Sequence, residues 1–299
     1  MRRMVFCVAV AVLLTGLVPD SIHADQGNVT PDQGMRWARS AVTPFKTVAR
    51  TSPSGGGGYR LLSLERQEAP LPDFDAYPDV YDKKLRFFAF LLPLVEEENE
   101  RLLELRKRLE FIYEYVRWNR DINPDDRAWL HEVIEEFRIP ETDIQGVEFW
   151  DFALRRVDAV PIQLVLAQAA NESAWGTSRF AREGNNLFGQ WCFRQGCGLI
   201  PNDRPDGETY EVARFTSVSE SVGSYMHNLN TGRSYRQLRE IRAAARTRGK
   251  QPDAAAMAAG LLHYSVRGEE YIDELRAMIR YNSDVIEDAR ASVKRDARS

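Results

Sequence analysis

The chain is poor in the residues that metal and nucleic-acid chemistry draw on. Its four histidines, His23, His131, His227 and His263, are scattered without ligand spacing. His131-Glu132 opens like a zinc-protease motif, but the position that needs the second histidine is Glu135, so the motif fails and no metal is expected. Cysteine is nearly as scarce. Of three, Cys7 lies in an apolar leader, and the spacing of Cys192 and Cys197 does not suit zinc. A net charge of −4 excludes the basic excess that would point to nucleic acid or an anionic membrane. No internal repeat is visible. No apolar run favours a full membrane span, since Val5 to Val18 is short for one.

What is present begins with that run. Arg2 and Arg3, the apolar stretch and Ile22-His23-Ala24 together read as a cleavable export signal over residues 1–24, with an uncleaved anchor as the alternative. The expected location is therefore the periplasm or cell envelope, with peripheral attachment to the envelope compatible. Residues 25–80 read as a flexible linker, marked by Ser52-Pro53-Ser54 and Gly55 to Gly58 and then punctuated by Pro70, Pro72 and Pro78. Phe74 and Tyr77 are aromatic pieces able to dock on a domain.

Residues 81–145 read as an N-terminal helical extension. Leu85, Phe88, Leu92, Val95, Leu102, Leu105, Leu109, Ile112 and Val116 recur at helical spacing over 82–118, with Pro93 as a possible kink. Asn123-Pro124-Asp125-Asp126 starts another helix. Residues 146–285 read as a mostly helical domain with a β-hairpin or small sheet between Gln190 and Phe215. In an exported chain Cys192 and Cys197 are expected to form a disulfide closing that hairpin. Residues 286–299 read as a charged tail that frays.

The stretch from Val160 to Gly176 organises the rest. From Ile162 to Ala170 it is apolar apart from Gln163 and Gln168, which predicts a buried helix that Gly176 stops. Gln168, Glu172 and Trp175 then fall at i, i+4 and i+7 on one face. A carboxylate is rarely buried unpaired. The helix is thus expected to deliver Glu172 to a cleft wall, where desolvation raises its pKa and keeps it protonated near neutrality. A solvated last-turn residue or an arginine partner is the bland alternative.

Gln168-Ala169-Ala170-Asn171-Glu172-Ser173-Ala174-Trp175-Gly176, followed by Asn185-Asn186-Leu187-Phe188-Gly189, resembles the signature of the peptidoglycan-cleaving glucosaminidases of glycoside hydrolase family 73, and more closely its Bax-type branch. The likeness covers roughly residues 147–282, including Ser221 to Tyr225, His263-Tyr264 and Gly268 to Leu275. It implies a lysozyme-like, mainly α (α+β) fold with Glu172 as catalytic acid. It places Gln168, Trp175, Asn186, Phe188, Gly189, Tyr225 and Tyr264 against the sugars. By spacing alone the two tyrosines read more readily as helix core.

One departure stands out. Many family members carry a second catalytic carboxylate on the first hairpin strand, and Gly196-Cys197-Gly198-Leu199-Ile200-Pro201 has none. Glycoside hydrolysis normally pairs an acid with a base or nucleophile. Glu208, nearer the turn, is the first substitute and Glu211 the second; assistance from the substrate's own acetamido group is the alternative. The resemblance implies an endo-β-N-acetylglucosaminidase acting on peptidoglycan glycan strands as a monomer, without cofactor. A lytic transglycosylase, or an inactive glycan-binding envelope protein, would share these features.

Overall fold

The computed structural model describes residues 70–297, Glu141 excepted. The expected export signal and most of the expected linker lie outside the described residues. The last part of that linker belongs to the core instead. Phe74–Ala76 form a 3-10 turn capped by Asp73, and Phe74, 1% exposed, meets the Phe87 ring edge-on at 5.3 Å.

Ten helices and one small sheet follow. The first helix, α1 (Val80–Arg117), is the spine, 38 residues long, or about 57 Å at the α-helical rise. The Asp79 carboxylate caps it by accepting the Asp82 N–H at 2.8 Å. Its apolar positions repeat every three or four residues, so Phe88, Leu92, Val95, Leu102, Leu105, Leu109, Ile112 and Val116 are all buried. Pro93 lies inside the helix without ending it. Next come α2 (Pro124–Glu136), opened by the Asn123 side chain and Pro124, and α3 (Val147–Arg156). The central α4 (Ile162–Ser173) packs on α1, and the short α5 (Arg179–Gly184) leads into the sheet. Beyond the sheet lie α6 (Val218–Thr231), α7 (Arg236–Thr247), α8 (Ala254–Ala258) and α9 (Glu269–Tyr281). The main hydrophobic core runs from Phe74 to Ala289, so the N-terminal helices and the later ones share one interior, while Cys192, Ala213 and Phe215 form a small separate cluster at the sheet. Among the described residues no helix is long and apolar enough to cross a membrane.

One expectation is corrected here. The charged tail does not fray but forms α10 (Ser283–Asp296), which packs along α1. Val285 and Ile286 lie four and three residues before Ala289, so one buried stripe hides beneath the charges that dominate the sequence. The β insert takes the small-sheet form of the two expected. Strands β1 (Trp191–Cys192), β2 (Gly198–Leu199) and β3 (Glu211–Ala213) form an antiparallel sheet with β3 in the middle. Val212 pairs with Trp191 on one side and Leu199 on the other. The Cys192–Cys197 disulfide therefore ties together the two outer strands that β3 separates. Gly198 is required there, since a Cβ would lie 1.9 Å from the Val212 carbonyl oxygen.

The entry to α4 is held by polar groups. The Asn99 amide on α1 pairs with the backbone of Val160 in both directions, each at 2.8 Å. Beside it, Asp158 is 1% exposed. It meets Arg246 at 2.8 Å, Arg106 at 3.5 Å and Arg242 at 3.7 Å. The same arginines close off backbone carbonyls: Arg242 donates to Arg155, Asp158 and Ala159, and Arg106 to Leu154 and Val157. Burial pushes the Arg242 guanidinium down to about 10, with Asp158 opposing that, so it stays charged at neutral pH. Removing one partner of such a buried group leaves an uncompensated charge. Asp158→Ala should cost about 3–5 kcal/mol of folding stability, with Asp158→Asn milder, as read by urea denaturation.

Candidate active site

The α4 helix stops earlier than Gly176. Ala174, Trp175 and Gly176 take φ values of 51°, 59° and 78°, three left-handed residues in a row. Such a run is unfavourable for side-chain-bearing residues and persists only where surrounding contacts impose it. Those contacts are present. The Ser173 hydroxyl donates to the Ala169 carbonyl at 2.6 Å and accepts the Gly176 N–H at 2.8 Å. Gly176 also has Phe74 against it, where a Cβ would approach to 2.6 Å. The helix thus ends one residue after Glu172, and the chain turns sharply away.

This turn corrects the expectation for Trp175. Spacing of i+7 requires a continuous helix, and none exists past Ser173. The indole swings to α1 instead, edge-on to Phe87 at 5.6 Å and Phe88 at 5.4 Å, with Lys84 over the ring at 5.0 Å.

Glu172 is partly buried at the end of the apolar helix. Its carboxyl is raised to about 7, first by desolvation, with a further push from the nearby Glu274 charge. Hydrogen bonds from Tyr271 and Asn171 and the Arg267 charge oppose that rise. The Tyr271 hydroxyl, on α9, donates to Glu172 Oε1 at 2.7 Å. Gln168 Nε2 donates in turn to the Tyr271 oxygen at 2.9 Å. Tyr225, on α6, donates to Gln168 Oε1. Burial pushes both phenols well above their usual range, so they remain neutral donors.

Several residues expected to touch sugar do another job. Gln168, Asn186, Phe188 and Tyr225 are each 2% exposed or less, which removes them from direct contact with a glycan in this conformation. Phe188 and Tyr225 stack on each other at 4.0 Å with a 6° interplanar angle. Asn186 brackets its own loop, donating to the carbonyls of Gln190 and Ala213 at 2.9 Å and accepting the Gln190 N–H at 3.0 Å. These side chains build the wall rather than its surface. Gly189 and Tyr264 remain partly exposed. The Tyr264 hydroxyl donates to the Phe188 carbonyl at 2.6 Å, and its ring stacks on Tyr271 at 5.5 Å.

The two candidate partner carboxylates separate clearly. Glu211 is buried, and its oxygens accept the Gly196 N–H at 2.9 Å and the Gly198 N–H at 2.7 Å. The Gly196 amide, reinforced by Gly198, holds this carboxyl below the usual range. It braces the sheet turn through backbone amides rather than pairing with a cross-strand side chain. Glu208 is partly exposed on the segment between β2 and β3. Cys192, Cys197 and Glu211 cluster closely enough to hold a metal ion. The sulfurs are joined to each other and the carboxylate is bonded to amides, so this set does not fit one.

The residue that the sequence reading missed is Tyr271. It lies in a stretch that carries the family likeness, but only the packing of α9 on α4 shows its contact with the acid.

Residues 151–284 match the glucosaminidase family model, described as mannosyl-glycoprotein endo-beta-N-acetylglucosaminidase. Protein Bax of Escherichia coli (strain K12) is 32% identical over 220 residues, covering 74% of this chain and 77% of Bax. No solved structure matches the chain. The identity to Bax over most of both chains, together with the family-model match, makes the chain a member of the glucosaminidase family.

Proposed function

We propose that the chain is an exported endo-β-N-acetylglucosaminidase that hydrolyses β-1,4 bonds next to N-acetylglucosamine in bacterial peptidoglycan. The family supports a glucosaminidase-like glycan hydrolase. The observation that carries the reading furthest is the Glu172 carboxyl raised to about 7. A general acid works best when its pKa lies near the working pH. Its Oε1 accepts from Tyr271, so a proton on the acid resides on Oε2. Glu172 gives that proton to the glycosidic oxygen as the C1–O bond breaks, and water supplies the hydroxyl of the new reducing end. Tyr264 and Gly189 offer partly exposed surface to the sugars. Export to the envelope, action as a monomer and peripheral envelope association belong to the same proposal.

With Glu211 committed to the Gly196 and Gly198 amides, Glu208 stands first among the sheet-side carboxylates for the base. The same commitment favours a second reading, in which one firm carboxylate acts as a lytic transglycosylase acid. Mass spectrometry of digested peptidoglycan separates them. Hydrolysis gives reducing ends, transglycosylation gives anhydro sugars, and an inactive glycan-binding protein gives neither.

Glu172→Gln should lower cleavage by about 10²–10⁴-fold, the usual contribution of a positioned acid. A rate within a few-fold of wild type removes Glu172 from the role. Wild-type kcat/KM should fall as pH rises through about 7, because the acid form is then lost. Stability gives an independent sign. A carboxyl whose folded pKa is raised contributes most below its unfolded pKa, and that contribution is lost as pH rises through the folded value. Glu172→Gln should therefore match wild type near pH 4 and exceed it near pH 8, by at most about 3 kcal/mol, as read by thermal melts. Glu208→Ala should reduce the rate by orders of magnitude while Glu211→Ala mainly lowers the melting temperature. Near-normal rates in both variants and in their double mutant leave the acetamido group or transglycosylation.

A further inference from the structure

Behind Glu172 lie three polar side chains, of which the chemistry above uses only the contact of Tyr271 with the carboxyl. Tyr271 is 2%, Gln168 0% and Tyr225 1% exposed. Their hydrogen bonds form a directed chain in which Tyr225 donates to Gln168, Gln168 to Tyr271, and Tyr271 to Glu172. The direction is not arbitrary, because a primary amide has a donor end and an acceptor end. We propose that Tyr225 is a positioning residue that, through Gln168 and Tyr271, fixes the direction of this chain and so sets which oxygen of Glu172 carries the proton.

Reversing the chain shows why. If the Gln168 amide turned over, its Oε1 would accept from Tyr271, and Tyr271 would no longer donate to Glu172. Only a protonated Glu172 could then bond to Tyr271, using the very proton the substrate needs. The turned amide would also point Nε2 at the Tyr225 oxygen, leaving the buried Tyr225 proton without its acceptor. An unsatisfied buried donor is costly, so the Tyr225 hydroxyl opposes reversal. Phe188 holds that hydroxyl in place, stacked on the Tyr225 ring at 4.0 Å. Without the hydroxyl, either amide orientation leaves one end unbonded, and the preference disappears.

Other groups also face Glu172. Glu274 on α9 and Arg267 just before it act on its charge in opposite senses, and they pair with each other. Asn171 is its neighbour on α4. On the sides of α1 and α8, which also pack on α4, Lys84 sits over the Trp175 ring and Asp253 caps its own helix. None of these is altered by a change at Tyr225, which makes that position a clean probe. The proposal rests on Glu172 being the acid, and its test reads the carboxyl directly.

The test is Tyr225→Phe, which keeps the ring and removes only the donor. The Glu172 carboxyl resonance, assigned by its loss in Glu172→Gln, is titrated by carbon NMR in labelled protein. In Tyr225→Phe its midpoint should rise by about one pH unit, the scale of one lost buried hydrogen-bond preference. The alkaline limb of kcat should move with it, kcat at its plateau should fall, and KM should barely change because Tyr225 does not reach substrate. Val222→Ala, at a buried apolar position on the same helix that takes no part in the hydrogen bonds, serves as the control for general loosening: it should lower the melting temperature and leave the Glu172 midpoint in place. An unchanged midpoint in Tyr225→Phe, or an equal shift in Val222→Ala, overturns the proposal. Failure of the wild-type protein to cleave glycan would instead remove the enzymatic reading, while the NMR midpoints still decide the direction of the chain.

Discussion

Placing a carboxyl at the end of an apolar helix makes its ionisation unfavourable, and much of the surrounding structure answers that one constraint. Desolvation alone would raise Glu172 further than it goes. The Tyr271 hydroxyl restrains it, and Tyr271 reaches the carboxyl because α9 lies against α4. That packing in turn depends on α4 being buried on several sides, against α1 and α8 as well as α9. The acid is thus tuned by two opposing effects of the same burial: loss of water, and forced contact with a neutral donor that cannot leave.

Rigidity at both ends of α4 keeps this balance in place. At its start, Asn99 holds the Val160 backbone while Asp158 gathers Arg106, Arg242 and Arg246 around the preceding carbonyls. At its end, three left-handed residues stop the helix within two residues of the acid. The helix can neither slide nor extend, so Glu172 is presented at one height. The sheet side is braced separately, by Glu211 on the Gly196 and Gly198 amides and by the Cys192–Cys197 link. Charged groups in this protein serve architecture more often than chemistry, which is why counting carboxylates in the sequence does not by itself locate a catalytic pair.

The relation of the long N-terminal helix to the domain has a similar lesson. The family match begins at residue 151, yet α1 supplies Asn99 to the entry of α4 and Phe87 and Phe88 to its exit. The 81–145 stretch is therefore structurally continuous with the helix that carries Glu172, and α10 closes over it from the other end of the chain.

Local sequence determined a good deal by itself. Helical periodicity, the Asn123-Pro124 start and the apolar run before Glu172 identify their elements because backbone preference and burial act over neighbouring residues. Glu172 was legible as a candidate for the same reason, since the apolar run before it is local, while its burial depends on how the other helices pack around that run. Other features needed the tertiary structure. Trp175 keeps helical spacing only if the helix continues, and the left-handed run from Ala174 to Gly176 ends it, with Phe74, about a hundred residues away, packed against Gly176. The stripe of Val285, Ile286 and Ala289 was hidden by the charges around it until α1 gave it a surface to bury against. Strand order was not readable from three very short segments, whose pairing is decided by who lies beside β3. Tyr271, Gln168 and Tyr225 carry no local mark of belonging together, because a hydrogen bond between residues 57 or 103 positions apart exists only once the helices that bear them have packed.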